Sequence, residues 1–471
     1  MSTIDRAKAD LWRLGAMELA AAIRFREVSS REVVEAHLRR IEAVNPRMNA
    51  IPVVLAEAAL EAAKTADGEV VGDAELPPLH GVPFTVKSNL DLAGTPTTHG
   101  LRAMAQAYPK LDAPAVERLK AAGAIPIGRT NMPDFAIGWH TQSELYGATL
   151  NPWDGSRTPG GSSGGEGVAI ATGMSPLGLG NDTLGSLRWP AQCSGIAALK
   201  PTLGRVPDAT SLDPPLIVPV GQQLAGVNGP LARRVADLRA ALQVLAGPTW
   251  RDPWSVLAPL LGPPPRRPIG VAVVLDPAGR GTARQVRDGV RRAADALADA
   301  GYAVEETEPP SVETAAGCVL DMLDLRAGWN LFPLPVGDDA KRWIAAFFEV
   351  VGEPDPLANA FSFVTRHGLL RAWGEFQETY PLILAPVGTD LPFRVGADRT
   401  PAGVADNLRA MRMVMAVNAL GLPAVAVPVG VEEGLPQVVQ LIGSRYREDL
   451  CLDAAEVLEE RHGTITPIDP R

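Results

Sequence analysis

The sequence predicts an α/β protein, and three observations carry that prediction. Helical stretches alternate with short apolar runs that read as buried strands, and a strand–helix–strand unit is legible late in the chain. Of the 471 residues, 46% are hydrophobic and 21% charged, enough for a large core. The 46 glycines and 43 prolines imply many tight turns, and neither is periodic, which excludes a fibrous chain.

The elements follow in order. Met17–Arg26 is amphipathic and predicts a first helix. Ser29 and Glu32 form a capping box that opens a second, expected to stop at Asn45-Pro46. The Ala/Glu-rich stretch Leu55–Ala66 predicts a third. Gly81–Lys87 is a short apolar run, predicted as a buried strand that delivers Lys87 at its end. A helix at Pro114–Ala122 leads through Gly123 into a strand at Ala124–Ile127. After the Pro-rich stretch 262–268 come strand Ile269–Val274, helix Ala283–Ala300 and strand Tyr302–Glu306, expected to continue one sheet rather than to begin a second lobe. The uncharged run between Arg412 and Glu432 reaches membrane-spanning length but holds Asn418, Gly421, Pro423, Pro428 and Gly430. It therefore predicts a helix end, a turn at Gly421-Leu422-Pro423 and a buried strand Ala424–Val427. The expected organisation is one domain over residues 1–471: N-terminal helices in 1–66, a catalytic core in 81–205, and the rest of the sheet and its helices in 262–471.

A net charge of −10 argues against a broad surface for nucleic acid. Cys193, Cys318 and Cys451 are far apart and odd in number, so neither a structural zinc nor a disulfide framework is expected. The N-terminus carries Asp5, Arg6, Lys8, Asp10 and Arg13 in place of the apolar core of a signal peptide. The expectation is a cytoplasmic protein without a membrane or nucleic-acid partner, as a monomer or homodimer.

Residues 158–167 (TPGGSSGGEG) and 180–190 (GNDTLGSLRWP) are poor in long side chains. Alone, such a stretch reads as a flexible linker. The apolar neighbours Val168–Ala171 and Leu177–Leu179 look internal, and internal Gly/Ser loops present backbone N–H groups to something. Gly161–Gly165 fits G-x-S-x-G with Ser163 as nucleophile, but that elbow needs a preceding strand and residues 154–159 do not form one. A phosphate loop is excluded by Glu166, which stands near where Lys-Ser/Thr is required.

Gly160-Gly161-Ser162-Ser163-Gly164-Gly165, then Asp182-Thr183-x-Gly185-Ser186-x-Arg188-x-Pro190, then Lys200-Pro201-Thr202-x-Gly204-Arg205, resembles the signature of the amidase signature family. Gly81–Lys87, Gly128–Ala136, Asn418–Gly430, Gly434-Leu435-Pro436 and Gln440–Gly443 resemble it too, so the likeness spans nearly the whole chain. Gly165-Glu166-Gly167 is similar to the fatty acid amide hydrolase branch in particular. The resemblance implies a large mixed central sheet with helices on both faces. It also implies Ser186 as nucleophile, Ser162 as a bridging serine after a cis peptide bond, and Lys87 as base, with no metal or cofactor.

A serine hydroxyl needs a base within reach, and none of the six histidines sits in a recognised triad motif. Lys87 taken alone reads as a surface lysine at a strand end; in an apolar, Gly-lined pocket, desolvation would leave part of it neutral. The oxyanion is expected on the N–H groups of Thr183, Leu184, Gly185 and Ser186. Asp182 and Arg188 either touch substrate or brace the loop between them, and Ser163 is a candidate to orient the relay. Met132, Trp139, Gln142, Leu145 and Tyr146 lie where family members line the acyl pocket, although the Trp/Tyr pair also reads as ordinary core.

Two departures from the family stand out. Leu184 occupies a usual glycine position, so either its backbone is ordinary or the oxyanion hole is altered. Asn181 replaces a usual threonine or serine. The expected function is a serine hydrolase of small hydrophobic or aryl amides, extending to carbamates (urethanes). The competing readings are an A-type amidotransferase subunit that works on charged tRNA with partner subunits, and a catalytically impaired binding protein of the same fold.

Overall fold

The computed structural model describes residues 10–70, 75–213, 218–324, 335–352 and 355–471, so the N-terminal charges Asp5, Arg6 and Lys8 lie outside the described residues. In chain order the elements are α1 (Ala16–Arg24), α2 (Ser30–Met48), β1 (Val53–Val54), α3 (Ala56–Glu69), β2 (Pro83–Lys87), α4 (Pro114–Ala121) and β3 (Ile125–Thr130). A small hairpin of β4 (Gln142–Ser143) and β5 (Gly147–Ala148) precedes α5 (Gly164–Ala171), β6 (Leu177–Asp182), α6 (Arg188–Ser194) and β7 (Ala197–Lys200). Then come α7 (Val220–Ala225), β8 (Val227–Ala232), α8 (Val235–Leu245), β9 (Gly270–Val273), α9 (Arg284–Asp299) and β10 (Ala303–Glu306). The chain continues through α10 (Val312–Leu323), α11 (Asp338–Val351), α12 (Pro356–Thr379), β11 (Leu382–Pro386) and α13 (Pro401–Leu420). It closes with β12 (Ala424–Glu432), β13 (Leu435–Gly443) and α14 (Glu448–His462).

Eleven strands form one mixed sheet in the order β1-β3-β2-β6-β8-β7-β12-β13-β11-β9-β10. Strands from both sides of the Pro-rich stretch 262–268 join it, as expected for β9 and β10. Side chains alternate across a strand with period two, and here both faces are apolar. Leu382 and Leu384 of β11 enter one core, and Ile383 and Ala385 the other. Val425 and Val427 of β12 divide from Ala424 and Ala426 in the same way. The first core is closed by α1, α4, α8, α9 and α14 through residues such as Ile23, Leu119, Leu242, Leu297 and Leu458. The second is closed by α6, α10, α11, α12 and α13 through Trp189, Met322, Phe347, Trp373 and Met415. Among the described residues no helix is long and apolar enough to cross a membrane.

Local chemistry accounts for most boundaries. The Ser29–Glu32 capping box is formed, with Ser29 Oγ accepting from Glu32 N at 3.1 Å and Ser29 N donating to Glu32 Oε2 at 2.9 Å. The expected stop at Asn45-Pro46 is corrected: α2 runs through Pro46 to Met48. Glu42, whose carbonyl loses its partner to the proline, lies exposed where water serves it. The helix ends instead at Asn49, in the left-handed region at φ 50°, while Asn45 Oδ1 accepts from Ala50 N and Ile51 N at 2.9 Å. The predicted strand Ala424–Val427 is also longer than expected, passing a bulge at Pro428–Gly430 and turning at Glu433-Gly434 into β13.

The candidate site lies where parallel neighbours β2 and β6 end, with Phe84 paired to Leu177 and Val86 to Leu179. Carboxyl ends of adjacent parallel strands are the usual place for a ligand crevice in α/β sheets. Leu384 is fully buried in the sheet interior. Leu384→Ala is expected to cost about 2–5 kcal/mol in chemical denaturation; a near-neutral variant would show that this face is not sealed.

Candidate active site

Every residue of β2 is buried, and the strand ends by placing Lys87, with no exposed surface, against two oxygens. Lys87 Nζ lies 2.6 Å from Ser162 Oγ and 2.7 Å from Asn181 Oδ1 of β6. Burial lowers the Lys87 pKa to about 7, against the pull of Asp182 and Glu166, which favour its charged form. The Gly161–Ser162 peptide bond is cis. Gly161 has to be glycine because a Cβ there would lie 2.7 Å from the Trp139 carbonyl carbon and 2.8 Å from His140 N.

Ser186 sits in the turn between β6 and α6 and keeps a small exposed surface of 8%. Its carbonyl accepts the Ser163 N–H at 3.3 Å, so the two glycine-rich segments meet through backbone. Among the described hydrogen bonds none joins Ser162 Oγ to Ser186 Oγ. Ser163 Oγ donates to the Asn181 carbonyl at 3.3 Å rather than to either serine, and Ser163 precedes a helix without the preceding strand that the rejected elbow requires.

The turn is shaped by Asp182. Its Oδ1 accepts from Gly185 N at 2.8 Å and its Oδ2 from Leu187 N at 3.1 Å. Arg188 reaches both oxygens, Nε to Oδ2 at 3.0 Å and Nη2 to Oδ1 at 3.1 Å, with both side chains fully buried. Arg188 also donates to Gln440 Oε1 at 2.9 Å, Val414 O at 3.1 Å and Asn418 Oδ1 at 2.6 Å. Burial raises the Asp182 pKa, but the Arg188 charge and hydrogen bonds outweigh it and hold the carboxyl well below the usual range. The bracing role is the one this geometry serves.

One expected donor is therefore taken. The Gly185 N–H belongs to Asp182, which leaves Thr183, Leu184 and Ser186 without a described acceptor. The question raised by Leu184 is answered by its backbone: positive φ falls on Gly185, at 94°, and Leu184 is ordinary. A Cβ at residue 185 would lie 2.7 Å from Val414 Cγ2, so only glycine fits this turn against α13.

Of the five expected pocket residues, Trp139 alone has a described contact with the Ser186 turn. Its indole Nε1 donates to the Leu184 carbonyl at 2.9 Å, and its own carbonyl accepts from Trp189 Nε1 at 3.2 Å. Met132 is buried just beyond β3. The Gln142 amide donates to Asp339 of α11, Leu145 N donates to the Gly100 carbonyl at 3.2 Å, and Tyr146 N donates to Ser143 Oγ at 3.0 Å. Sequence reasoning missed Trp343, whose ring meets Trp139 edge-on at 6.4 Å and stacks on Phe347 at 4.8 Å. It also missed His99, half-buried and stacked on Phe135 at 5.2 Å. Burial, then the Lys87 and Arg129 charges, lower its pKa to about 3, so it is neutral. No local pattern marked either residue.

With that geometry in hand, comparison with known proteins is direct. The amidase family's sequence model matches residues 32–452. An indoleacetamide hydrolase of Bradyrhizobium diazoefficiens is 41% identical over 97% of this chain and 88% of its own. The A-type subunit of a glutamyl-tRNA(Gln) amidotransferase from Salinispora arenicola is 33% identical over 97% of this chain and 99% of its own. Among solved structures, a 6-aminohexanoate cyclic dimer hydrolase complexed with substrate aligns with a TM-score of 0.81 at 27% identity, over 96% of this chain and 98% of that one. The chain belongs to the amidase family. Its chemistry is hydrolysis of an amide C–N bond.

Asp182→Asn leaves Arg188 buried and under-compensated and is expected to cost about 3–5 kcal/mol in denaturant unfolding. The Asp182 carboxyl is held below its unfolded range, so its contribution is present at neutral pH. It is lost as pH falls below about 4. The variant should lose that part of the acid dependence; unchanged stability and acid profile would remove the brace.

Proposed function

We propose that this chain is a serine amidase for hydrophobic amides, aryl amides first, with Ser186 as nucleophile and Ser162 and Lys87 as its proton relay. The observation that carries this reading is the 2.6 Å contact of Lys87 Nζ with Ser162 Oγ in a buried site, beside the turn that presents Ser186. Neutral Lys87 takes the Ser162 proton, and Ser162 takes the proton of Ser186 after that hydroxyl rotates toward it. Ser186 Oγ attacks the carbonyl carbon, and the N–H groups of Thr183, Leu184 and Ser186 receive the oxyanion. Ser162 then protonates the leaving nitrogen, and water hydrolyses the acyl-enzyme.

Two observations support an aryl substrate: the aromatic cluster of Trp139, Trp343 and Phe347 beside the Ser186 turn, and the 41% identity to an indoleacetamide hydrolase. Primary amides of arylacetic acids fit that pairing, and carbamates present the same carbonyl–nitrogen target. A second reading, one component of a tRNA-dependent amidotransferase, is favoured by the 33% identical relative and would require partner subunits.

Fluorophosphonate treatment is expected to label Ser186, and Lys87→Ala to slow labelling by about a hundredfold or more. A label on Ser163, or a rate untouched by the variant, would defeat the triad. The isolated chain is expected to hydrolyse indole-3-acetamide; turnover only with added partner subunits would favour the second reading. Because Lys87 is neutral above about 7, kcat/KM should rise as pH increases through that value. A flat profile from pH 5 to 9 (roughly two units either side of that midpoint) would remove Lys87 as the base.

A further inference from the structure

We propose that Glu166 is a positioning residue for this hydrolysis, a buried carboxylate that favours the ammonium form of Lys87 once Lys87 has taken up the relayed proton. The inference rests on the reading of Lys87 as base.

Glu166 stands in the first turn of α5, four residues after Ser162, with no exposed surface. Its Oε2 accepts from Thr85 Oγ1 at 2.5 Å and its Oε1 from Thr130 Oγ1 at 2.8 Å. Thr85 lies on β2 and Thr130 ends β3. The third wall is Gly178 of β6, where a Cβ would lie 2.2 Å from Glu166 Oε2. Three adjacent strands thus make a slot for one carboxylate. A buried acid is ordinarily neutralised by a contacting cation. Among the described ion pairs Glu166 has none; two hydroxyls orient it without cancelling its charge.

Thr85 and Lys87 are one strand repeat apart, so their side chains share a face about 7 Å from each other. Glu166 is held by the first and acts on the second across space. The charged groups that bear on Glu166 are Lys87 and Arg129. Those that bear on Lys87 are Asp182 and Glu166, with neutral His99 beside it. Asp182 bears on Lys87 more strongly but is paired with Arg188, whereas Glu166 has no contacting cation among the described ion pairs. Burial raises its pKa to about 7, countered by the two hydroxyls, Lys87 and Arg129, so above that value it stands as the carboxylate, where Lys87 works as the neutral base. In the step itself the proton moves from Ser186 Oγ to Ser162 Oγ to Lys87 Nζ, and later back through Ser162 to the leaving nitrogen. Glu166 keeps its own protonation throughout. An anion near a newly formed ammonium in a dry site is worth far more than in water.

The test is Glu166→Gln, which keeps the shape and can still bond both threonines. With the charge gone Lys87 binds its proton less tightly, so the acid limb of kcat/KM is expected to move about one pH unit lower. On the alkaline plateau a weaker base should lower kcat by about three- to tenfold, with the pH dependence of fluorophosphonate labelling shifting in parallel. A purely structural role would lower thermal stability and leave the limb in place, and an unmoved limb in folded variant overturns the proposal. If the glutamine variant does not fold, Thr130→Val makes the carboxylate harder to ionise. It must move the limb in the same direction, and an unmoved limb there overturns the proposal equally. Lys87→Ala run alongside separates the failures. If it labels like the parent, the triad reading falls; if it is silent while the Glu166→Gln limb is unmoved, only the role of Glu166 falls.

Discussion

One buried ion pair, Asp182 with Arg188, holds the turn that carries Ser186 in shape. A carboxylate with no exposed surface accepts two backbone N–H groups of the turn and a two-point guanidinium contact from the helix that follows. The same guanidinium reaches Gln440 on β13 and both Val414 and Asn418 on α13. Asn418 closes the circuit by donating to the carbonyls of Asp182 and Ala225 at 3.1 and 3.0 Å. The turn that carries Ser186 is thereby tied to the C-terminal strands, while Lys87 arrives from the N-terminal part of the sheet. The candidate site lies on the seam between the two. A pair this deep adds little net stability over an apolar replacement, but each member left alone would be costly, so the turn has one low-energy shape.

That constraint also explains how the chain tolerates leucine where glycine is usual. The left-handed residue of the turn is Gly185, pressed on Val414, and Leu184 needs only ordinary dihedrals. Leu184 then packs its side chain against the second core and offers its carbonyl to Trp139. The same economy removes Gly185 from the expected oxyanion donors, because its N–H already serves the brace.

Much of this was legible in the sequence where the signal is local. Strands β2 and β9 appear as short apolar runs, α2 opens on its capping box, and α13 ends at Gly421 in the left-handed conformation expected of a stop. The glycine-rich segments marked the residues that gather around Ser162. What stayed hidden depends on distant partners. Pro46 inside α2 is tolerated because the neighbouring turn is exposed, which its own dipeptide does not reveal. Asn181 read as a departure, yet it sits 2.7 Å from Lys87 Nζ, a contact made only because β2 and β6 pair. Trp343 meets Trp139 from a distant part of the chain, and no periodicity encodes that meeting.

The bond from the Trp139 indole to the Leu184 carbonyl has an implication for how such an enzyme can diversify. The aromatic cluster and the turn that carries Ser186 share a hydrogen bond, so a shift of one is passed to the other. Trp343, which meets the Trp139 ring, and Phe347, which stacks on Trp343, take no part in that bond. Substitutions on α11 can therefore reshape the aromatic cluster while Trp139 keeps its bond to the turn that carries Ser186.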